Sequence, residues 1–261
     1  MDDPAVPINS VKRSYRVVDA IRERGRAGVT ELAAALDLPK STVHNHLRTL
    51  ERLGYLVEDG GRYRLGVEYL RLGRESRNSR EVFVHGREAV NRLQERTDAH
   101  ALLVVEENGM GAILLATRWE YGDLPPTARH VYPTHEHLHS NAPGKAILAH
   151  LPDERVDEIA ERHGLPARTN RTVTDVDALR EELEAVRRRG YAVDWGELIE
   201  GMVGVAAPIV TGERVHGALA AYGPTAEIQP GIAAGELTST VAEMADTVRA
   251  DIVFADSDYS D

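Results

Sequence analysis

The sequence predicts an α+β protein in two parts: a winged helix-turn-helix, then a larger GAF-like domain of helices packed on an antiparallel sheet. Three observations carry that reading. Three short helical patterns before residue 54 lead directly into a hairpin turned by Asp59-Gly60. Asn108-Gly109 and Thr211-Gly212-Glu213 each separate two apolar runs, as hairpin turns do. Residues 144–163, the stretch from Thr174 to Gly190, and Leu237, Val241, Met244 and Val248 read as helices.

Taken in order, Val11, Tyr15, Val18 and Ile21 predict an inward stripe on a first helix ending near Gly25. Thr30 is placed to cap a short second helix with Leu32, Ala35 and Leu36 inward. Asp37-Leu38 makes the turn, and Pro39 suits the first position of a third helix. Val43, Leu47, Leu50 and Leu53 form that helix's inward stripe, and Gly54 ends it. Tyr55-Leu56-Val57 and Arg62-Tyr63-Arg64-Leu65 pair across the Asp-Gly turn as the wing. The winged unit is residues 1–66, and residues 67–98 read as linker helices broken near Arg77-Asn78-Ser79.

The second domain, residues 99–252, starts with strands at Ala101–Val105 and Ala112–Ala116. Residues 144–163 are mostly helical. Thr174-Asp175-Val176-Asp177 has a capping-box pattern, and Arg187-Arg188-Arg189-Gly190 closes that helix with dipole-matched charge and a terminal glycine. Val203–Val210 and Val215–Tyr222 form another strand pair. Leu237, Val241, Met244 and Val248 mark a last helix, and residues 253–261 are an acidic tail, of which Asp256–Asp261 is expected to be disordered.

Composition narrows the function. No cysteine is present, which excludes disulfides and thiolate metal sites. No apolar run approaches the about 20 residues that span a bilayer. Met1-Asp2-Asp3-Pro4 lacks the order of a secretory signal, so a cytoplasmic protein without membrane contact is expected. The net charge of −11 is unevenly divided. Residues 1–75 carry 13 Lys and Arg against 11 Asp and Glu, while the remainder carries 18 against 31. Only Lys12, Lys40 and Lys145 are lysine. An acidic, arginine-rich, lysine-poor chain fits a halophile's concentrated salt; a high-GC codon bias is the other source of such a composition.

The third helix turns Lys40, Ser41, Thr42, Asn45, Arg48, Thr49 and Arg52 outward. Hydroxyls there reach phosphates, Asn pairs with adenine edges and Arg with guanine edges, while Arg62 and Arg64 on the wing face the neighbouring backbone. The partner predicted is a double-stranded DNA operator. One such helix reads too few base pairs, so paired helices about 34–36 Å apart are expected. His46, on the inward side, reads as a half-buried histidine rather than a DNA contact.

Leu32-Ala33, Leu38-Pro39-Lys40-Ser41-Thr42-Val43-His44, Leu47 and Leu50 resemble the DNA-binding half of the IclR family of transcription regulators. Tyr63-Arg64-Leu65-Gly66 is similar to that family's wing exit. Leu138-His139-Ser140-Asn141-Ala142-Pro143-Gly144-Lys145-Ala146-Ile147-Leu148-Ala149 is similar to its second-domain motif, as are Gly190–Asp194, Glu197, Gly201, Ala206–Ile209 and Gly223-Pro224. The resemblance implies an effector-binding domain, a homodimer or homotetramer, and a small carbon-source metabolite such as a sugar, sugar acid, 2-oxo acid or aromatic acid. It implies a pocket lined by Asn141, Ala142, Pro143, Gly144, Asp194, Gly204, Ala220 and Tyr222. Five residues depart from the family pattern, two of them in the DNA-binding half, where Asn45 replaces a frequent arginine and His46 a usually apolar residue. In the second domain, position 204 is often polar or cysteine in that family, and Ala220 and Tyr222 stand where small hydroxyl residues are common.

Gly144 would let backbone approach a small anion, and the N–H groups opening the Lys145 helix suit a carboxylate. Asp194 reads equally as a ligand's hydrogen-bond acceptor or a surface turn residue; Lys145 as a ligand partner or a solvent-facing one. His135, His137 and His139 alternate as on one face of a strand, with His130 nearby and Glu136 on the other face, an arrangement open to a metal. The sequence assigns no metal, no cofactor and no catalytic group. A metal-dependent hydrolase using that histidine cluster is the alternative, together with a DNA-binding or interaction module that has lost its ligand.

Overall fold

The structure, a computed structural model, describes residues 6–117 and 135–258. It divides into two compact units, Met1–Arg77 and Asn78–Asp261.

The first unit follows the predicted order with one added strand. It comprises α1 (Asn9–Arg24), β1 (Ala27–Gly28), α2 (Val29–Leu36), α3 (Lys40–Arg52), β2 (Leu56–Asp59), β3 (Arg62–Leu65) and most of α4 (Glu68–Asn78). Its core is Val17, Ala20, Ile21, Leu32, Ala33, Leu36, Val43, Leu47, Leu56 and Tyr63. The expected stripe of α1 is therefore displaced: Val11 and Tyr15 are 50% and 67% exposed, while Val17, Ala20 and Ile21 of its second half enter the core. On α2 it is Ala33, not Ala35, that turns inward, and Leu53 lies outward just past α3.

Gly28, not Thr30, stands at the N-cap of α2, where its N–H donates to Glu31 Oε2 at 3.0 Å. Pro39 likewise sits one place before the first turn of α3. The wing turns on Gly60 and Gly61, both at positive φ, rather than on Asp59-Gly60, and the Glu58 carboxylate accepts from Gly61 N–H. β3 lies in the middle of the order β1-β3-β2.

The second unit is built on a six-stranded antiparallel sheet. Its strands are β4 (His100–Glu107), β5 (Met110–Ala116), β6 (His135–His137), β7 (Ala192–Asp194), β8 (Met202–Thr211) and β9 (Arg214–Pro224), in the order β6-β5-β4-β9-β8-β7. Asn108 and Gly109 both take positive φ, as the two-residue hairpin turn requires. Against one face pack α5 (Glu81–Thr97), α9 (Thr225–Ala233) and α10 (Glu236–Asp258). Against the other pack α6 (Ala142–Leu148), α7 (Asp153–His163) and α8 (Val176–Arg189).

Several expectations shift here. The second linker helix is α5, a core element of this domain, because Val82, Phe83, Ala89, Val90 and Leu93 are buried against the sheet and α10. The N-cap of α8 is Asp175, whose carboxylate accepts from Ala178 N–H at 2.9 Å, not Thr174. The expected disordered tail is helical through Asp258, since Ile252 is still buried and carries α10 onward. Asp194 closes a strand and is 1% exposed, so it is no surface turn residue.

Candidate functional site

Of the residues expected to face DNA, seven lie on α3 and two on the wing. With Val43 and Leu47 committed to the core, helical geometry turns Lys40, Ser41, Asn45, Arg48, Thr49 and Arg52 to solvent and leaves Thr42 half-buried. Among the described residues, Lys40, Ser41, Asn45 and Arg52 have no side-chain partner. Arg48 lies 3.8 Å from Glu51, a loose exposed pair, and the Thr49 hydroxyl donates to Asn45 O. His44, exposed on the same face between Ser41 and Arg48, was missed; the i, i+3, i+4 spacing was its signal. His46 is half-buried as expected, with Nδ1 2.8 Å from the Ser14 hydroxyl, and burial, aided by Arg13, lowers its pKa.

The two wing arginines differ. Arg64 is exposed, its guanidinium 3.4 Å from Leu65 O. Arg62 is tied into the unit, donating to Glu31 Oε1 at 2.9 Å and to Arg26 O at 3.1 Å. Glu31 thus holds both the start of α2 and the wing. These hydrogen bonds, Gly28 first and Arg62 second, hold its carboxyl below its ordinary pKa.

The expected effector residues do converge, on the α6 face of the sheet. Asp194, Gly204 and Tyr222 lie directly opposite one another on β7, β8 and β9. Asn141, Ala142, Pro143 and Gly144 open α6 above them, and Ala220 is buried beside Tyr222 on β9. The space between is filled by the chain itself. A Cβ on Gly204 would lie 2.2 Å from two carbons of the Tyr222 ring. The Tyr222 hydroxyl accepts from Ala142 N–H at 2.9 Å and donates to Asp194 Oδ2 at 3.3 Å.

Two expectations about α6 need correcting. Its first N–H groups are not open to a carboxylate: Asn141 Oδ1 accepts from Gly144 N at 2.8 Å, and Tyr222 takes Ala142. Gly144 is small for another reason, since a Cβ there would lie 2.0 Å from Leu138 O, so the close neighbour is protein backbone. Lys145 is neither at the surface nor available. It is fully buried, with Nζ 2.7 Å from Glu182 and also paired with Glu197, which contains the desolvation cost of the ammonium.

Asp194 Oδ1 accepts from Glu197 N–H at 2.6 Å. Burial raises the Asp194 pKa, against the opposing pull of that hydrogen bond and of Lys145. Glu197 is likewise raised by burial, opposed by Lys145. Desolvation holds the Tyr222 phenol well above its ordinary range, so it is protonated and able to donate.

The histidine alternation breaks because β6 ends at His137 and Leu138–Ser140 form a 3-10 turn. His139 is buried, 3.2 Å from Pro166 O, and burial lowers its pKa to about 4. Glu136 pairs with Arg168 at 3.3 Å. Among the described residues no group of three or more His, Asp or Glu is placed to hold a metal ion. His130 lies outside the described residues. No helix among them is long and apolar enough to cross a membrane.

A winged unit presenting an unengaged polar helix, followed by a separate α+β domain, defines a DNA-binding transcription regulator. Residues 10–60 match the "IclR helix-turn-helix domain" and residues 80–250 the "Bacterial transcriptional regulator IclR C-terminal" domain. The chain belongs to the IclR family. It is 33% identical over 243 residues to the "Probable HTH-type transcriptional regulator ArcR" of the archaeon Halobacterium salinarum, covering 92% of each chain. It is 32% identical over 233 residues to the glycerol operon regulatory protein of Streptomyces griseus, covering 87% of this chain and 89% of the relative. The Thermotoga maritima IclR structure superposes with a TM-score of 0.76 at 24% identity, covering 94% and 98%. An IclR homolog from Microbacterium hydrocarbonoxydans complexed with 4-hydroxybenzoate gives 0.77 at 24%, covering 93% and 98%. These relatives are regulators, and the chain is a regulator rather than an enzyme.

Proposed function

We propose that this regulator reads an operator of a catabolic pathway with α3 and answers to a small carbon-source metabolite bound in the second domain. The carrying observation is the outward face of α3, where Asn45 and Arg48 stand exposed on a helix whose opposite side is locked in the core. Lys40, Ser41, Thr42, Thr49 and Arg52 flank them as backbone contacts, with Arg64 on the wing; Arg62 acts by holding the wing to α2. The convergence of Asn141, Ala142, Pro143, Gly144, Asp194, Gly204, Ala220 and Tyr222 supports an effector site between α6 and the sheet. Of the effectors considered, sugars, sugar acids, 2-oxo acids and aromatic acids, the 4-hydroxybenzoate complex supports the aromatic acids, and the glycerol-operon relative supports control of a carbon-source pathway. Operator reading by a homodimer or homotetramer follows from the few base pairs one helix covers.

The test is operator affinity across variants and salt. Arg48→Ala and Asn45→Ala should each weaken binding to the selected operator by about 1–3 kcal/mol while leaving non-specific DNA nearly unchanged. Unchanged operator affinity in both variants sinks α3 as the reader. The acidic, lysine-poor composition, shared setting of a halophilic archaeal relative, supports a salt-adapted protein. Its operator affinity should then fall more gently with salt than the usual slope of about −0.9 per phosphate contact.

A further inference from the structure

We infer that Tyr222 is a resident occupant of the effector site, a side chain standing where a hydroxylated ring would bind, so that any effector must displace it. The inference rests on the effector-site reading above and narrows it.

Four features distinguish this tyrosine from an ordinary core residue. Its ring lies flat on Gly204, the one residue of the Asp194–Gly204–Tyr222 row without a side chain, and no other residue type fits beneath it. A buried tyrosine hydroxyl usually finds a hydrogen-bond partner, and this one finds two. This one turns it inward, between the backbone N–H that opens α6 and the carboxylate that ends β7. Those two groups, on separate elements, are the donor and acceptor a ligand's hydroxyl would need. Two of its neighbours are single methyl groups: Ala142, whose N–H bonds the hydroxyl, and Ala220, two residues back on the same face of β9. Removing the ring therefore leaves a cavity rather than a collapsed core.

The occupancy is also imperfect. The contact to Asp194, at 3.3 Å, is long for a hydroxyl donating to a carboxylate, where about 2.5–2.7 Å is usual. A ligand hydroxyl with better geometry competes well for that carboxylate. The ligand class is thus an uncharged or weakly acidic hydroxyl on a planar ring, since the site presents one N–H donor and one carboxylate. Competition sets the response: apparent effector affinity is the intrinsic affinity multiplied by the fraction of time that Tyr222 is swung out.

The experiment uses the full chain as wild type and Tyr222→Ala, with phenol and benzene as probes. Binding is read by calorimetry and thermal shift, folding by circular dichroism. Operator affinity is measured by mobility shift on a fragment selected by the wild-type protein from random DNA. Tyr222→Ala should bind phenol at least tenfold more tightly than wild type does, and at least tenfold more tightly than it binds benzene. Folded Tyr222→Ala that binds phenol no better than wild type, or benzene as well as phenol, overturns the inference. Should Tyr222→Ala unfold, recovery of its folded signal by phenol but not benzene supports the inference, and recovery by neither overturns it. Phenol should also shift the operator affinity of Tyr222→Ala at least threefold while leaving wild type unmoved. Phenol bound in the variant with operator affinity unmoved upholds Tyr222 as occupant and overturns the effector-site reading beneath it.

Discussion

The two functional regions satisfy their polar groups in opposite ways. On α3, the side chains of Lys40, Ser41, Asn45 and Arg52, the proposed DNA contacts, are hydrogen-bonded only by water among the described residues. Between α6 and the sheet, Ala142 N–H, Gly144 N–H, Asp194 and Lys145 are completed by the protein itself. A surface reader exchanges water for DNA with little rearrangement, so its specificity lies in which side chains are displayed. A buried sensor must first break its own contacts, so its specificity lies in how well a ligand replaces them.

The contrast can be broken by substitution, most severely at Gly144. A Cβ there meets backbone, Leu138 O at 2.0 Å and Leu138 Cα at 2.5 Å, which cannot swing aside as a side chain does. Gly144→Ala should destabilise the second unit by more than about 3 kcal/mol in urea titration. A loss under about 1 kcal/mol would mean that the turn before α6 yields easily and the site is softer than its contacts imply.

Asp194→Asn probes the sensor's electrostatics with a smaller effect, about 1–2 kcal/mol from a replaced hydrogen-bond acceptor. Its sharper signature is pH dependence. Because burial raises the folded pKa of Asp194, its contribution to stability is fully present below the ordinary carboxylate range and is lost as pH rises through the folded value. His139 acts with the opposite sign: its folded pKa of about 4 makes stability fall as pH drops from about 6.5 toward that value. The difference between wild type and Asp194→Asn isolates the first effect. Wild type should lose stability relative to the variant as pH climbs above about 4. Parallel curves would show that Asp194 carries no excess proton in the folded state.

Arg62→Ala should have the smallest effect. Its pair with Glu31 is exposed and screened by water, so little stability is lost with it. Operator affinity should change less than for Arg64→Ala, whose side chain is not tied into the unit. The reverse order, measured by mobility shift, would place Arg62 on DNA.

The same contrast explains what was legible in the sequence. The face of α3 could be read because the core residues Val43 and Leu47 fix one side of a helix and the rest follows by rotation. Periodicity could not show where a core stops, which is why Val11 and Tyr15 read as inward although both are exposed on the first half of α1. The sensor residues were recognisable as motifs, but their mutual engagement was not. Counting back along the β8–β9 hairpin from Thr211 opposite Arg214 puts Gly204 opposite Ala221. A bulge between Ile209 and Val210 shifts the register by one, and Tyr222 comes onto Gly204 instead. One extra residue, His216, thereby decides which side chain enters the site. The role of Gly144 was hidden similarly, because the 3-10 turn folds Leu138 back onto it.

Lys145 has a practical consequence. It is the sole lysine after residue 75, and its amine is sealed beneath Glu182 and Glu197. Lysine acylation reagents reach that amine only through structural opening, so its labelling rate, resolved from Lys12 and Lys40 by peptide mass, is a native clock for breathing of the sensor.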